Sequence, residues 1–176
     1  MKKSFIATLL IMIIASISIF AATDSFTVTT DVTEIGNVMV ATASTVPTDK
    51  DFTGLTEFTT LPITTSGDQG TVAYMATISN KRSGYEVTMS ATAMASAVSG
   101  QATSYIDYTV SCGDQSITTN GAAASTVTGT TVDKETSLTG LTGKSTPITL
   151  NVDKPTFDAA VSGSYTGTVT FTFSAT

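Results

Sequence analysis

The sequence predicts an all-β protein whose strands form a single β-sandwich. Apolar and polar residues alternate with a period of two in six separate runs, the pattern expected of strands with one buried face. Gly, Pro, Asn and Asp residues separate these runs and mark the turns between strands. Thr, a β-branched residue that suits a pleated surface, makes up 37 of the 155 residues after position 21. A disordered, O-glycosylated stalk could have the same Thr content, but it would lack the regular alternation.

The first 21 residues have the layout of a secretory signal peptide. Lys2 and Lys3 form a basic start, residues 5–20 are almost wholly apolar, and the small residues Ala21 and Ala22 follow. We therefore expect cleavage after Ala21 and secretion of the remainder. A retained membrane anchor is the alternative, but an apolar run of about 16 residues falls short of the roughly 20 that a spanning helix needs. We expect no membrane span in the mature form.

The residues after the signal peptide suit one domain with a modest core. We expect an N-terminal strand at 22–34, which could be donated to another copy, followed by a sandwich domain at 35–176. Without the two lysines of the signal peptide, six basic residues face fourteen acidic ones, so the net charge is −8. This negative charge disfavours nucleic acid and anionic lipid headgroups as partners.

The alternating runs predict about seven short strands with turns between them, which favours an immunoglobulin-like sandwich. Lys81–Gly84 lies between two runs and is predicted to be a hairpin connection, and the weakly patterned stretch 121–143 is either a long loop or an edge strand. No helical stretch of credible length is expected after residue 22. The residues that share one face of each run are Phe26, Val28, Thr30 and Val32; Val72, Tyr74, Ala76 and Ile78; Tyr85, Val87, Met89, Ala91 and Ala93; Ile106, Tyr108, Val110 and Cys112; Ile148, Leu150 and Val152; and Tyr165, Gly167, Val169, Phe171, Phe173 and Ala175.

The sequence offers few residues for catalysis. The chain has no His, the commonest general base and transition-metal ligand, and one Cys is too few for a thiolate zinc site. Asp49 and Asp51 are close in sequence, but Ca²⁺ needs about six to eight oxygen ligands from several segments, so we expect a solvated loop. A Ser–Lys pair is the remaining catalytic alternative. We therefore expect no enzyme activity, no cofactor and no metal.

Cys112 is the only cysteine, so an intramolecular disulfide is impossible. It falls on the same face of its run as Tyr108 and Val110, which predicts a small core residue. An intermolecular disulfide is the alternative. Secreted domains often use internal disulfides for stability. Because this chain cannot form one, core packing and backbone pairing must hold the fold together.

The C-terminal run has features beyond general strand character. Val169, Phe171 and Phe173 alternate with polar residues, and Gly163 lies fourteenth from the end. This resembles the C-terminal β-zipper of chaperone–usher pilins, which pairs with a periplasmic chaperone. The segment VSGSYTGTVTFTFSA resembles in particular the Gly-x-Tyr-x-Gly closing strand of the alpha, or colonisation-factor, class. Spore-coat-U-like secreted domains have similar endings.

The N-terminal end is similar to the same class, whose members open with a short strand rich in Thr and Val. Here TDSFTVTTDVTEI follows the predicted cleavage site directly. In that family the fold lacks its last strand, and a neighbour's N-terminal strand fills the groove that this leaves. The resemblance implies two sets of site residues. The inserting residues would be Phe26, Val28, Thr30 and Val32, and the strand beside the receiving groove would contain Gly163, Tyr165, Val169, Phe171 and Phe173.

The resemblance implies a secreted structural subunit of a pilus or surface fibre that assembles by β-strand addition. Its partners would be other copies of itself, a periplasmic chaperone and an outer-membrane usher, and it would pass through the periplasm to a fimbrium at the cell surface. A non-polymerising surface or coat sandwich is one alternative, and a carbohydrate- or protein-binding adhesin module is another. The sequence leaves open whether the N-terminal strand pairs within its own sandwich or inserts into a neighbour.

Overall fold

The structure, a computed structural model, describes residues 27–121, 123 and 126–176. The predicted signal peptide, 1–21, and Phe26 of the predicted donor strand lie outside these residues. By its contacts the chain divides into two units, Met1–Val32 and Thr33–Thr176. All strands and the single helix of the described residues belong to the second unit. Within the described ranges there is no helix with the length and hydropathy that a membrane crossing requires.

In the described part of the chain, ten strands and one short helix follow one another. Most strands are short, while β2, β8 and β9 are longer. The elements are β1 (Gly36–Ala41), β2 (Gly67–Ser79), β3 (Tyr85–Thr92), β4 (Met94–Ser96), β5 (Ser104–Ile106), β6 (Tyr108–Cys112), β7 (Gln115–Thr118), β8 (Thr126–Glu135), β9 (Thr142–Val152), α1 (Lys154–Asp158) and β10 (Val169–Ala175).

The strands form antiparallel sheets. One sheet has five strands in the order β1-β2-β9-β6-β7, a second has three in the order β10-β3-β8, and β4 pairs with β5. The prediction of an all-β fold is therefore confirmed. Strands of both larger sheets contribute to one buried cluster, which is the arrangement of a sandwich. Its members are Ala73, Met75, Tyr85, Val87, Met89, Ala91, Tyr108, Val110, Cys112, Ile117 and Ile148.

The period of two in β3 explains why this strand lies at the centre of the core. Tyr85, Val87, Met89 and Ala91 are at most 1% exposed, and the residues between them are half-buried. Each large apolar side chain removed from water in this way contributes about 1.5–3 kcal/mol. The run from Tyr105 to Cys112 also buries its predicted face, as the sequence indicated.

The strand β2 is buried on both faces over its second half. Met75 faces the common core, while Ala76 and Ile78 belong to a second cluster on the other side of the five-stranded sheet. Phe52, from the loop between β1 and β2, covers that side and is 4% exposed. Its backbone has a φ of 53°, a conformation uncommon for a residue with a side chain.

The prediction of a hairpin at Lys81–Gly84 is wrong. β2 belongs to the five-stranded sheet and β3 to the three-stranded one, so this segment carries the chain from one sheet to the other. Gly84 has a φ of 96°, and a side chain there would collide with the carbonyl group of Glu135. Alternation showed which residues of β2 and β3 are buried, but it contains no information about pairing partners.

Two further segments differ in detail from expectation. Of the two alternatives for 121–143, the structure shows an edge strand, since β8 pairs with β3 alone. The helix α1 is a single turn that begins where the Asp153 carboxylate accepts a hydrogen bond from the Thr156 N–H at 3.0 Å, with Pro155 in its first turn. A helix of 5 residues is too short to produce a recognisable helical period in the sequence.

Candidate functional site

The edge strands β1 and β10 lie beside each other on one side of the sandwich. At one end they are in close contact, because the ring of Phe173 covers Gly36, where an added Cβ would lie 2.5 Å from the ring. At the other end, around Val40 and Val169, they leave an open groove between the two sheets. We call the first end the closed end and the second the open end.

The groove has a volume of about 440 Å³ and exposes part of the common core. Its floor includes Val72, Val110 and Ile148, and none of the described residues that line it carries a charge. An apolar concavity of this size is a common form of binding site. The chemistry of the groove therefore suits an apolar occupant rather than an ion.

One wall of the groove is the C-terminal segment that contains β10. Half-buried and exposed residues alternate from Tyr165 to Ser174, so the period of two begins before the paired strand itself. β10 pairs with β3 on one edge, and no strand of the described residues pairs with its other edge. Phe171 is consequently only half-buried, although its neighbour in register, Met89, is fully buried. This edge of β10 is therefore open to pairing in the part of the chain that the structure describes.

The opposite wall is a segment without regular structure, residues 57–63. The Phe58 N–H donates to the carbonyl oxygen of Val40 at 2.8 Å, which fixes the segment against the open end of β1. Phe58, Leu61 and Ile63 are half-buried and line the groove. Sequence reasoning missed this wall because these three residues do not alternate and Pro62 interrupts the run.

The predicted C-terminal site residues separate into three groups. Tyr165, Val169 and Phe171 line the groove, as expected for the strand beside it. Phe173 lies at the closed end and stacks on Tyr85, with ring centroids 5.2 Å apart. Gly163 lies before the groove, where an added Cβ would be 2.5 Å from the Ser96 hydroxyl oxygen, so its small size serves packing against β4.

The predicted inserting residues lie in the N-terminal part of the described chain. Residues 27–35 carry no regular secondary structure. Val28 and Val32 are 80% and 79% exposed, and Thr30 is also exposed. Among the described residues, none of this predicted strand belongs to a sheet of its own chain. The same chain thus has an exposed N-terminal segment that carries Val28 and Val32, and an apolar groove beside an unpaired strand edge.

A group of polar side chains joins the two sheets near the closed end. The Tyr85 hydroxyl donates to Asp133 at 2.7 Å, and the Lys144 ammonium group donates to Asp133 at 2.8 Å and to Glu135 at 2.5 Å. Burial raises the pKa of Tyr85 to about 12, and the bond to Asp133 adds to this. Burial alone would lower the pKa of Lys144, but its bonds to the two carboxylates outweigh that effect and raise it. We call this group the ionic clamp.

The remaining chemical candidates from the sequence are located as follows. The Asp49 carboxylate accepts hydrogen bonds from the N–H groups of Asp51 and Thr53, at 3.0 and 3.1 Å, which makes a turn in an exposed loop. The described residues contain no group of three or more Cys, Asp or Glu side chains placed to hold a metal ion. Cys112 is fully buried, as predicted, and burial raises the pKa of its thiol to about 12. In the folded chain this thiol is not available for an intermolecular disulfide.

Comparison with protein-family models, with curated proteins and with solved structures finds no match to this chain. The function is therefore inferred from the residues and geometry of the chain itself.

Proposed function

We propose that this protein is a secreted structural subunit of a pilus or surface fibre that polymerises by β-strand addition. The N-terminal strand of each copy would complete the immunoglobulin-like sandwich of the next. The observation that carries the proposal is the presence, in one chain, of an open apolar groove beside the free edge of β10 and an exposed run with apolar residues at alternate positions.

Strand addition would fill the groove beside β10 and bury the exposed apolar residues of the N-terminal segment in the same step. An inserted strand pairs its backbone with the free edge of β10, and its alternate side chains enter the groove. Val28 and Val32 would then be buried in the groove instead of facing water. Burial of each such side chain contributes about 1.5–3 kcal/mol, and the half-buried residues of the groove gain as well. An exposed apolar strand beside an unpaired edge would otherwise promote aggregation.

The ends of the sandwich favour insertion into another copy over insertion into the same chain. The second unit begins at the closed end, where the Asn80 side chain binds the backbone of Thr33 and Ile35 at 2.9 and 2.7 Å. A strand that turned back into its own groove from there would have to pass Phe173 and would run parallel to β10. A strand from a neighbour that enters through the open end runs antiparallel to β10, which is the slightly more stable pairing. Repetition of this contact gives a head-to-tail fibre.

The same proposal includes partners and location. Before assembly the free edge of β10 and the groove need protection from wrong pairing. A periplasmic chaperone that lends a strand, and an outer-membrane usher that receives the subunit, are the partners that the family resemblance implies. The subunit would act in a fimbrium at the cell surface without enzymatic activity, cofactor or metal. A non-polymerising surface or coat sandwich and an adhesin module are the competing functions.

The experiment compares two aspartate substitutions on neighbouring residues of the N-terminal strand. Val28→Asp places a charge where the strand must enter an apolar groove, and Thr29→Asp places the same charge on the outward face. Surface material sheared from cells is examined by electron microscopy with an antibody against the chain. We expect fibres in the wild type and in Thr29→Asp, and none in Val28→Asp. Fibres in Val28→Asp, or their absence in the wild type, would contradict the proposal and favour a surface sandwich that does not polymerise.

A further inference from the structure

We infer that Phe173 is a stop that fixes how far a donated strand enters the groove. This inference rests on the proposed function, because it concerns the register of the strand that β10 receives. By sequence Phe173 is one more apolar residue of the alternating series. In the structure it differs from Val169 and Phe171, because it covers Gly36 and does not line the groove.

The position of Phe173 is fixed by contacts with two strands, β1 and β3. Its ring lies over Gly36 of β1, where even a methyl group would be 2.5 Å away. The ring of Phe173 also stacks on the ring of Tyr85 of β3, and the angle between the two ring planes is 20°. Tyr85 is 1% exposed and is held by the ionic clamp through Asp133. The stop is therefore supported by residues that belong to both sheets.

The chain end holds β10 in place just beyond Phe173. The Thr176 N–H donates to the carbonyl oxygen of Gly84 at 3.2 Å, and the Thr176 hydroxyl donates to the carbonyl oxygen of Ser83 at 3.0 Å. These bonds attach the end of β10 to the segment between β2 and β3. They continue the pairing of β10 with β3 on the edge that an incoming strand does not use, so such a strand would have to move the Phe173 ring to proceed further.

The length of the open groove edge matches the length of the predicted donor run. The edge from Tyr165 to Phe171 has seven residues, of which the four at odd positions are half-buried. The run from Phe26 to Val32 also has seven residues, with four at alternate positions on its inserting face. Antiparallel pairing that ends at the stop places Val28 opposite Val169. On the outward face, the same register places Thr29 opposite Thr168.

A change of register can occur only in steps of two residues, because a slip of one would turn the apolar face outward. Removal of the Phe173 ring would uncover Gly36 and extend the groove by one inward position. Phe26 could then advance to the space that the ring had occupied. Thr29 would move from Thr168 to Thr170.

The experiment maps the register by disulfide cross-linking between subunits. Two forms of the full secreted protein carry Thr29→Cys together with either Thr168→Cys or Thr170→Cys, all at exposed positions. Each form is prepared with Phe173 intact, with Phe173→Ala, and with Phe157→Ala as the matched control, a half-buried phenylalanine that does not line the groove. Cross-linked ladders are read on non-reducing gels, and circular dichroism checks that each variant is folded.

We expect ladders from the Thr168→Cys pair when Phe173 is present and from the Thr170→Cys pair when it is replaced by alanine. The Phe157→Ala control should keep the original register. Ladders from the Thr170→Cys pair with Phe173 intact would overturn the inference, even if Phe173→Ala did not fold. An unchanged register in a folded Phe173→Ala variant would do the same while leaving strand addition itself intact. Absence of both ladders and polymers in every form would refute the proposed function and the inference with it.

Discussion

Lys144 and Asp133 connect the two sheets through a charged contact that is largely shielded from water. The Asp133 side chain is 10% exposed and that of Lys144 is 36% exposed. Asp133 accepts a second bond from Tyr85, so its charge is satisfied from both sides. Removal of the cation would leave a nearly buried carboxylate with only the neutral hydroxyl groups of Tyr85 and Thr77 as donors. The contact therefore matters more to stability than a surface ion pair.

Lys144→Met tests this at the level of one residue. Methionine keeps most of the volume of lysine, so the main effect of the substitution is to leave the charge of Asp133 uncompensated. We expect the free energy of unfolding to fall by about 2 kcal/mol, which lies between the values typical of exposed and buried ion pairs. Lys134→Met is the matched control, because its contact with Glu86 is longer, at 3.5 Å, and more exposed. The free energy of unfolding of the control, measured in urea, should fall by less than about 1 kcal/mol. Equal losses in the two variants would show that the clamp adds nothing beyond a surface pair.

The buried acids Cys112 and Tyr85 predict loss of stability in alkaline solution. Burial raises the pKa of Cys112 from 9.0 to about 12 and that of Tyr85 from 10.0 to about 12. The folded chain therefore holds these protons at a pH where the unfolded chain releases them. The free energy of unfolding should fall as the pH rises from about 9 to about 12. Unfolding curves of the wild type and of Cys112→Ala, recorded at about pH 8 and about pH 11, test this, and the variant should show the smaller fall. An equal fall in both would exclude Cys112 as a source.

At the level of elements, alternation predicts which residues are buried better than it predicts which strands pair. The inward residues of β3 and β6 were predicted correctly from the period of two, and in β9 Ile148 and Val152 are buried while Leu150 is half-buried. The break at Asp107, which ends β5 and begins β6, left no trace in that period. The Asp107 carboxylate accepts hydrogen bonds from the Thr119 hydroxyl and the Gly121 N–H, at 3.0 and 2.8 Å. Contacts between residues so far apart have no local signature in a sequence.

The candidate site shows the same limit. The wall that contains Tyr165, Val169 and Phe171 could be predicted, because its residues alternate on one strand. The special position of Phe173 depends on Gly36, which lies on another sheet and has no pattern of its own. The wall at 57–63 lacks a regular period altogether. The sequence therefore identifies the two strands that would meet, but not the shape of the space between them.

A substitution in the wall at 57–63 should prevent strand insertion without unfolding the subunit. Leu61 is half-buried and lines the groove, so Leu61→Asp introduces a charge that an inserted apolar strand would have to desolvate. Thr64→Asp is the control, because Thr64 is exposed and does not line the groove. Size-exclusion chromatography should show monomers for Leu61→Asp and polymers for Thr64→Asp, with the same circular dichroism spectrum. Polymers of folded Leu61→Asp would exclude this wall from the contact with the inserted strand.

At the level of the whole molecule, the groove lies at one end of the sandwich, and the first and last residues of the Thr33–Thr176 unit lie at the other. The Thr33–Thr176 unit begins beside Asn80 and ends beside Ser83 and Gly84, all at the closed end. The groove opens at the other end, around Val40 and Val169. Each subunit would therefore donate its N-terminal strand at one end and receive a strand at the other. Such a head-to-tail contact produces an open polymer instead of a closed ring. A fibre of this kind would form without a disulfide through Cys112, which is buried.

The measurement that tests strand addition most directly is the mass of a mixture of two defective subunits. One carries Val28→Asp and Val32→Asp, so it can receive a strand but not give one. The other carries Phe171→Asp, so it can give a strand but not receive one. By analytical ultracentrifugation, each alone should be a monomer, and an equal mixture should form a dimer that grows no further. A mixture that remains monomeric, or either variant polymerising alone, would contradict assembly by donation of the N-terminal strand.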